Sequence, residues 1–192
     1  MMSLARTARG HQILSMDKPS SNDPERDLKG PVTPLVPDGD DRERMVCVDC
    51  GFIHYDNPRV VAGAVCTWQD KILLCKRAIA PRIGFWTIPS GYLELKETVA
   101  DGAVREVLEE SGAHVNVTGL VGMYEIPRIS QIYIVYRAEM IGPDLDPGPE
   151  SQDAALFAWD DIPWDDLAFS SVTWALHTYK SGAVPNFDVH TS

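Results

Sequence analysis

The 192-residue sequence is poor in basic residues, with 17 Lys and Arg against 28 Asp and Glu and a net charge of -11. A general nucleic-acid binder needs a basic surface to meet phosphates, so this balance argues against a nucleic-acid polymer as partner. The same deficit argues against binding to anionic membranes. No apolar run approaches the roughly 18 residues of a membrane-spanning helix. The protein is therefore predicted to have neither a nucleic-acid polymer nor a membrane as its partner.

Cysteine is also scarce, with four in the whole chain, which excludes a disulfide-rich secreted scaffold. Residues 1–16 lack the apolar core of a secretory signal, and an organelle-targeting segment there is a second interpretation. We interpret residues 1–44 as a flexible extension, because residues 17–44 are rich in Pro, Asp, Ser and Gly. These absences together predict a cytoplasmic protein with reduced thiols.

The remaining chain, 44% hydrophobic overall, is long enough for one globular domain with a sizeable core. Thr98 and Gly112 are typical N- and C-terminal caps of a helix over residues 98–111. More strands than helices are predicted, which favours a mixed α/β sandwich over a regular βαβ repeat. The predicted strands are 60–66, 72–75, 86–89, 120–125, 132–139 and 156–159, and the last helix is 170–180. The predicted divisions are a knuckle at 45–58, the main domain at 59–183 and a tail at 184–192.

The predicted mid-chain helix carries Arg105, Glu106, Glu109 and Glu110. At about 100° per residue, the three carboxylates share one face. Such a cluster taken alone is more typical of a solvated acidic face. Gly102 costs about 1 kcal/mol relative to alanine in mid-helix, and we expect it to leave room for approach to Glu106, one turn further on. Close carboxylates and a loop carbonyl would suit a hard cation such as Mg²⁺ or Mn²⁺.

The segment that contains this helix resembles the signature motif of the Nudix hydrolases, the Nudix box. The match is Gly91-x5-Glu97-x7-Arg105-Glu106-Val107-x-Glu109-Glu110-x-Gly112-Ala113. Only Ala113 departs from the motif, where a larger aliphatic residue is usual. The resemblance covers about residues 46–180 and implies the Nudix fold, an α/β/α sandwich with a mixed β-sheet.

The resemblance also implies roles for individual residues. Glu106, Glu109, Glu110 and the carbonyl of Ser90 would bind two or more Mg²⁺ or Mn²⁺ ions. Arg105 would orient the glutamates and Glu97 would hold Arg105. The implied reaction is attack of an activated water on one phosphorus of a diphosphate linked to a second moiety, X. The general base is left open among Glu109, Glu110, Glu150 and Asp153.

Two further stretches, 79–94 and 147–171, resemble the plant FAD-pyrophosphatase branch of the family and its bacterial relatives. They imply a small nucleotide substrate of the FAD, ADP-ribose or NADH type, and the family resemblance implies a homodimer. A nucleoside triphosphatase and a non-catalytic regulator are the alternatives. The candidate substrate contacts are Arg59, Arg77, Arg82, Arg128 and Tyr124, with Phe85 and Trp86 as further candidates for stacking on a base.

Upstream, Cys47-x-x-Cys50-Gly51 resembles the second half of a zinc ribbon that is fused to some Nudix proteins. The first half would need another Cys-x-x-Cys pair near residues 25–29, where this chain has Glu25 to Lys29. Two thiolates do not close a tetrahedral site, so we expect no bound zinc. An unusual site that recruits His54 or Cys66 is the alternative. Cys66 and Cys75 are expected to be buried free thiols.

Overall fold

The computed structural model describes residues 30–183 and 186–189, which form two compact units divided between Asp56 and Asn57. The described part of the smaller unit is a three-stranded antiparallel sheet of β1 (Thr33–Leu35), β2 (Arg44–Val46) and β3 (Ile53–His54). Part of the stretch interpreted as a flexible extension is therefore paired sheet. Residues 1–29 lie outside the described residues.

The larger unit has eight strands and two α-helices among its described residues. The strands are β4 (Arg59–Trp68), β5 (Lys71–Arg77), β6 (Trp86–Thr87), β7 (Ser90–Tyr92), β8 (Val115–Ile126), β9 (Gln131–Met140), β10 (Ser151–Ala158) and β11 (Asn186–Val189). The helices are α1 (Val99–Ser111) and α2 (Ser170–Ser181), with single 3-10 turns at 127–129, 159–161 and 164–166. Within the described ranges, neither helix is long and apolar enough to cross a membrane.

The strands of the larger unit form one mixed sheet in the order β10-β5-β4-β9-β8-β11. The pairs β4–β9 and β8–β11 are parallel, and the other neighbours on this path are antiparallel. β6 pairs with β5 and β7 with β4. The predicted mixed sheet is confirmed. β11, in the segment expected to be a tail, pairs with β8 over Gly122–Glu125.

Alternating side chains of the central strands divide the hydrophobic core into two layers. Cys66 of β4 packs in a cluster that includes Val107 of α1. Its neighbour Val65 faces the other way, into a cluster that includes Leu176 of α2. The sheet therefore lies between two helices, and the predicted α/β/α sandwich is confirmed.

Local signals fix both ends of α1. Thr98 Oγ1 accepts a hydrogen bond from the Asp101 N–H at 3.1 Å. Gly112 adopts φ 71°, which favours glycine, and its N–H donates to Leu108 O at 2.8 Å. The predicted caps are confirmed, and α1 therefore presents its carboxylates from a fixed position against the sheet.

Candidate functional site

A cavity of about 1100 Å³ opens in the larger unit between α1, β7, the start of β10 and the start of α2. Such a volume is at the upper end for small-molecule sites. It brings together residues that are far apart in the sequence, including acids of α1 and guanidinium groups from the end of β5, the loop that follows it and the 3-10 turn at 127–129. The candidates that line it are Arg77, Arg82, Ser90, Arg105, Glu106, Glu109, Glu110, Arg128 and Glu150.

Two glycines allow β7 to lie close to the carboxylates of α1. A Cβ on Gly63 of β4 would lie 2.5 Å from Ser90 Cβ and 2.9 Å from Pro89 O. A Cβ on Gly91 would overlap the carboxylate of Glu106. Because both positions lack a side chain, the Ser90 N–H reaches Glu110 Oε2 and donates to it at 3.0 Å.

Arg105 is the centre of the hydrogen-bond network on α1. Its Nε and Nη2 donate to the two oxygens of Glu97 at 3.1 and 2.8 Å. Its Nη1 donates to Glu106 Oε1 at 2.7 Å and to Glu109 Oε2 at 2.9 Å. Its Nη2 also reaches the carbonyl oxygen of Tyr92 at 3.0 Å. One guanidinium thus sets the positions of two cavity carboxylates, while Glu97 orients that guanidinium from behind.

The structure gives a different reason for a glycine at position 102 from the one expected. A Cβ there would lie 2.9 Å from Glu97 Oε1 and 2.9 Å from Leu93 Cδ1. The glycine therefore makes room for the loop that carries Glu97, and not for approach to Glu106. The contact still serves the cavity, because Glu97 orients Arg105.

Burial and charge shift the pKa values of the carboxylates in opposite directions. Burial raises the pKa of Glu110 to about 8, and the charges of Glu106 and Glu150 add to this, against the Ser90 N–H and Arg77. Burial also raises the pKa of Glu106, although Arg105 opposes the shift. The pKa of Glu97 is lowered to about 2, first by its hydrogen bonds with Arg105.

The loop before β10 carries Glu150 to the cavity and packs against the end of α1. A Cβ on Gly148 would overlap the carbonyl oxygen of Glu109, and the Asp146 N–H donates to Ser111 O at 2.8 Å. On the other side, Glu150 O accepts a hydrogen bond from the Ala78 N–H at 2.8 Å. Glu150 itself is exposed, and its backbone is held between α1 and the end of β5.

The donor groups of the cavity fit a divalent cation. Within residues 30–183 and 186–189, no three Asp, Glu, His or Cys side chains are grouped as a complete cation site. Arg105 and the Ser90 N–H each hold carboxylate oxygens here. Glu106 Oε2, Glu109 Oε1 and Glu110 Oε1 are outside these bonds. An all-oxygen set around a buried carboxylate suits Mg²⁺ or Mn²⁺.

Some predicted residues do not line the cavity. Tyr124 is 1% exposed and packs in the core under Tyr133 and Trp174, so stacking on a substrate is excluded in this geometry. Arg59 is also not a lining residue, and its guanidinium lies over the ring of Tyr92, which does line the cavity. Trp86 packs edge-on against Phe157, and Phe85 lies under Arg82.

Other lining residues were not found from the sequence. They include Gln131, Tyr133 and Trp174. No local motif marks them, because the sheet topology alone brings them to the cavity. Gly63 could have been found, since a glycine inside a β-branched strand indicates close approach of another backbone.

A mixed sheet between two helices, with a glutamate-rich helix and arginines around one cavity, defines a class of protein. The class is the α/β/α hydrolases that act on phosphorus-containing anhydrides. The geometry explains why the carboxylates and the arginines occur together: the former suit cations and the latter suit phosphate oxygens.

The chain belongs to the Nudix family. The family model for the NUDIX domain matches residues 57–175. The chain is 34% identical over 113 residues to an ADP-ribose pyrophosphatase of Methanocaldococcus jannaschii, a match over 57% of this chain and 67% of that protein. A Nudix hydrolase structure from Nitrosomonas europaea superposes with a TM-score of 0.78 at 41% identity, covering 85% of this chain and 94% of that one. The chain is thus an enzyme of the class that acts on phosphoanhydrides.

The NAD-capped RNA hydrolase NudC of Stutzerimonas stutzeri is 30% identical over 122 residues. This match covers 62% of the present chain but only 43% of that relative, so the chain spans less than half of its length. A second family model, for the Nudix N-terminal zinc ribbon, matches residues 29–56. The resemblance of the Cys47–Gly51 segment to a ribbon is thereby confirmed at the level of the family.

Proposed function

We propose that the protein is a divalent-metal-dependent hydrolase that cuts the pyrophosphate bond of a nucleoside diphosphate linked to X. The products would be two monophosphates. The observation that carries the proposal is one cavity that is lined both by Glu106, Glu109 and Glu110 and by Arg77 and Arg128. Carboxylates would bind the cations and guanidinium groups the phosphates of one ligand.

The residues that would hold the cations are Glu106, Glu109, Glu110 and the carbonyl oxygen of Ser90. Bound Mg²⁺ or Mn²⁺ would supply an acidified water and neutralise phosphate oxygens. Arg105 keeps two of the carboxylates in register through bonds of 2.7 and 2.9 Å. Glu97 restrains Arg105 in turn, so it acts as a positioning residue.

Glu150 is our candidate for the proton acceptor or an additional cation ligand. It lines the same cavity as Glu106 and Glu110, and its charge is one of the smaller causes that raise the pKa values of both. It is also exposed, so it can exchange a proton with solvent. Asp153, the other loop acid considered, is not among the lining residues.

The size of the cavity supports a dinucleotide or a nucleoside diphosphate sugar as substrate. At about 1100 Å³ it is at the upper end for small-molecule cavities, which favours a large ligand. Arg77, Arg82 and Arg128 all line the cavity, and the guanidinium groups of Arg77 and Arg82 lie over the rings of Phe169 and Phe85. Several guanidinium groups in one cavity suit a ligand with a diphosphate. The relative named as an ADP-ribose pyrophosphatase supports the same class.

The test is a hydrolysis screen with Mg²⁺ or Mn²⁺ of FAD, ADP-ribose, NADH, nucleoside triphosphates and NAD-capped RNA. Products are identified by mass, and H₂¹⁸O shows which phosphorus is attacked. We expect paired monophosphates with one ¹⁸O. Pyrophosphate released from a triphosphate would instead establish the triphosphatase, and nucleotide binding without turnover would establish the regulator. The mass of the protein in solution tests the homodimer that the family resemblance implies.

Glu109→Gln and Asp160→Asn form a matched pair for the same assay. Both replace a carboxylate by its amide, but Glu109 lines the cavity and Asp160 does not. We expect the first to lower turnover by about 10³-fold, and the second to leave it unchanged. Wild-type turnover by Glu109→Gln would refute the assignment of the metal ligands.

A further inference from the structure

The smaller unit does not have the donors of a zinc ribbon, although its family model matches one. Of four cysteines, Cys66 and Cys75 are buried in the sheet of the larger unit at 0% and 1% exposure. The sequence has no Cys or His between Gln12 and Val46. In the described residues, no group of three or more possible ligand side chains occurs. Cys47 and Cys50 are thus a ribbon thiol pair without the second pair that would close a tetrahedral zinc site.

An ion pair and a cation–π contact stabilise the smaller unit. Arg44 Nε donates to Asp40 Oδ2 at 2.9 Å, and Asp40 Oδ1 accepts from the Asp41 N–H at 2.8 Å. The Arg44 guanidinium lies 5.1 Å from the centre of the Tyr55 ring. β2 is thereby linked to the loop before it and to the residue after β3. These contacts connect the three-stranded sheet without metal.

A tight turn brings the two cysteines together. The Gly51 N–H donates to Cys47 O at 2.8 Å, and the Cys47 N–H donates to Phe52 O at 2.8 Å. Gly51 has φ 74°, which permits the turn to close. Cys47 and Cys50 lie three residues apart within this turn, and Cα atoms with that spacing in a turn lie within about 7 Å, the range that a disulfide can bridge.

The two thiols of this turn differ in access and in chemistry. Cys47 is 2% exposed, whereas Cys50 is exposed. The backbone N–H groups of Cys50 and Asp49 and the Cys50 thiol donate towards Cys47 Sγ, which lowers the pKa of Cys47. An accessible thiol thus stands beside a protected one that is stabilised as thiolate. Access therefore assigns the first attack to Cys50, and the favoured thiolate form of Cys47 suits that residue for the second attack.

We propose that Cys47 and Cys50 form a redox modification site, closing a reversible intramolecular disulfide with a low-molecular-weight disulfide as oxidant. The Cys50 thiolate attacks one sulfur of the oxidant, whose S–S bond breaks, and the departing thiolate takes up the proton that Cys50 lost. The Cys47 thiolate then attacks Cys50 Sγ and breaks the mixed disulfide. The second departing thiolate takes up the Cys47 proton. The protein loses two hydrogen atoms, and the oxidant is reduced to two thiols.

The test equilibrates the full chain with glutathione and glutathione disulfide, traps the remaining thiols and digests with trypsin. Cleavage after Arg44 and Arg59 places both cysteines on one peptide, 45–59, while Cys66 and Cys75 fall on two others. We expect peptide 45–59 to lose the mass of two hydrogens and the other two to stay reduced. Doubling both glutathione species should halve the ratio of oxidised to reduced peptide, because an intramolecular disulfide depends on the square of the thiol concentration.

Two single variants test the order of the steps. Cys47→Ser lacks the resolving thiol, so we expect it to stop as a mixed disulfide at Cys50. Cys50→Ser leaves the pair with only the buried thiol of Cys47, so we expect this variant to resist modification by glutathione disulfide. The proposal would be overturned if the purified chain carried stoichiometric zinc that protects both thiols from oxidation. It would also be overturned if the wild-type chain stayed reduced or stopped as a mixed disulfide. These readouts are masses and metal content, so they are independent of the hydrolase activity.

Discussion

Gly63→Ala is the substitution that tests most directly how the sheet supports the carboxylates. The added Cβ would lie 2.5 Å from Ser90 Cβ, 2.9 Å from Pro89 O and 3.1 Å from the Tyr133 hydroxyl. Ser90 Cβ and Pro89 O are fixed to the backbone of the β7 segment, so no side-chain rotation can move them away. β7 must therefore move from β4, and the 3.0 Å bond from the Ser90 N–H to Glu110 lengthens or breaks.

The size of the effect follows from the kind of contact. Overpacking a well-packed position costs about 1–3 kcal/mol. Alanine also restricts the unfolded chain, which returns about 0.4–1 kcal/mol. Gly119→Ala in β8 has this second effect alone, because a Cβ there meets nothing within 4 Å. The difference between the two variants is then about 1–3 kcal/mol, or about 2–12 °C in melting temperature.

The assay compares both variants by thermal unfolding and by hydrolysis across a Mg²⁺ titration. For Gly63→Ala we expect a lower melting temperature and a 10–100-fold loss of apparent Mg²⁺ affinity or activity, about the cost of losing a supporting contact of a metal ligand. Gly119→Ala should match the wild type in activity. If Gly63→Ala melts and turns over like Gly119→Ala, our account of how β7 positions Glu110 is refuted.

Further predictions concern the loop, the supporting acid and the metal. Gly148→Ala should lower kcat, because the added Cβ displaces the loop that carries Glu150. Gly142→Ala is the control and should leave kcat unchanged, since a Cβ there has no neighbour closer than 4.0 Å. Equal rates for the two variants would contradict the role of this loop in positioning Glu150. Glu97 has a pKa of about 2 instead of 4.5, so its contribution to folding is present above pH 4.5 and lost as pH falls towards 2. The gap in unfolding free energy between wild type and Glu97→Gln, from urea titrations, should therefore narrow on acidification; a constant gap would show that the ion pair with Arg105 is not its source. Chelation of divalent cations should abolish hydrolysis and Mg²⁺ or Mn²⁺ should restore it, with circular dichroism unchanged; activity that survives chelation would contradict a metal-dependent reaction.

The features that could be predicted from the sequence are those encoded by neighbouring residues. Thr98 and Gly112 cap α1 through bonds that span three or four residues, so the helix could be located to within a residue. The spacing of Glu106, Glu109 and Glu110 places them on one face for the same reason. The assignment of side chains of β4 and β5 to the two core layers is also encoded locally, since successive side chains in a strand point to opposite faces of the sheet.

Features that depend on distant parts of the chain could not be predicted. Tyr124 was a candidate base contact, but pairing of β8 and β9 buries it under Tyr133. Gly102 was correctly identified as unusual, yet its neighbour is Glu97 of the preceding loop. β11 pairs with β8 across about 60 residues of sequence, and no pattern in a four-residue strand specifies that partner.

The hydrogen bonds of Arg105 also bear on whether α1 can fold before a cation binds. Clustered carboxylates on one helix face would repel one another while the chain folds. Arg105 supplies an internal counter-charge to Glu97, Glu106 and Glu109 within the chain itself. The helix can therefore form on a newly made chain before any ion is available. If the helix binds a divalent cation as we propose, exchange of one cation for another would not require the helix to unfold.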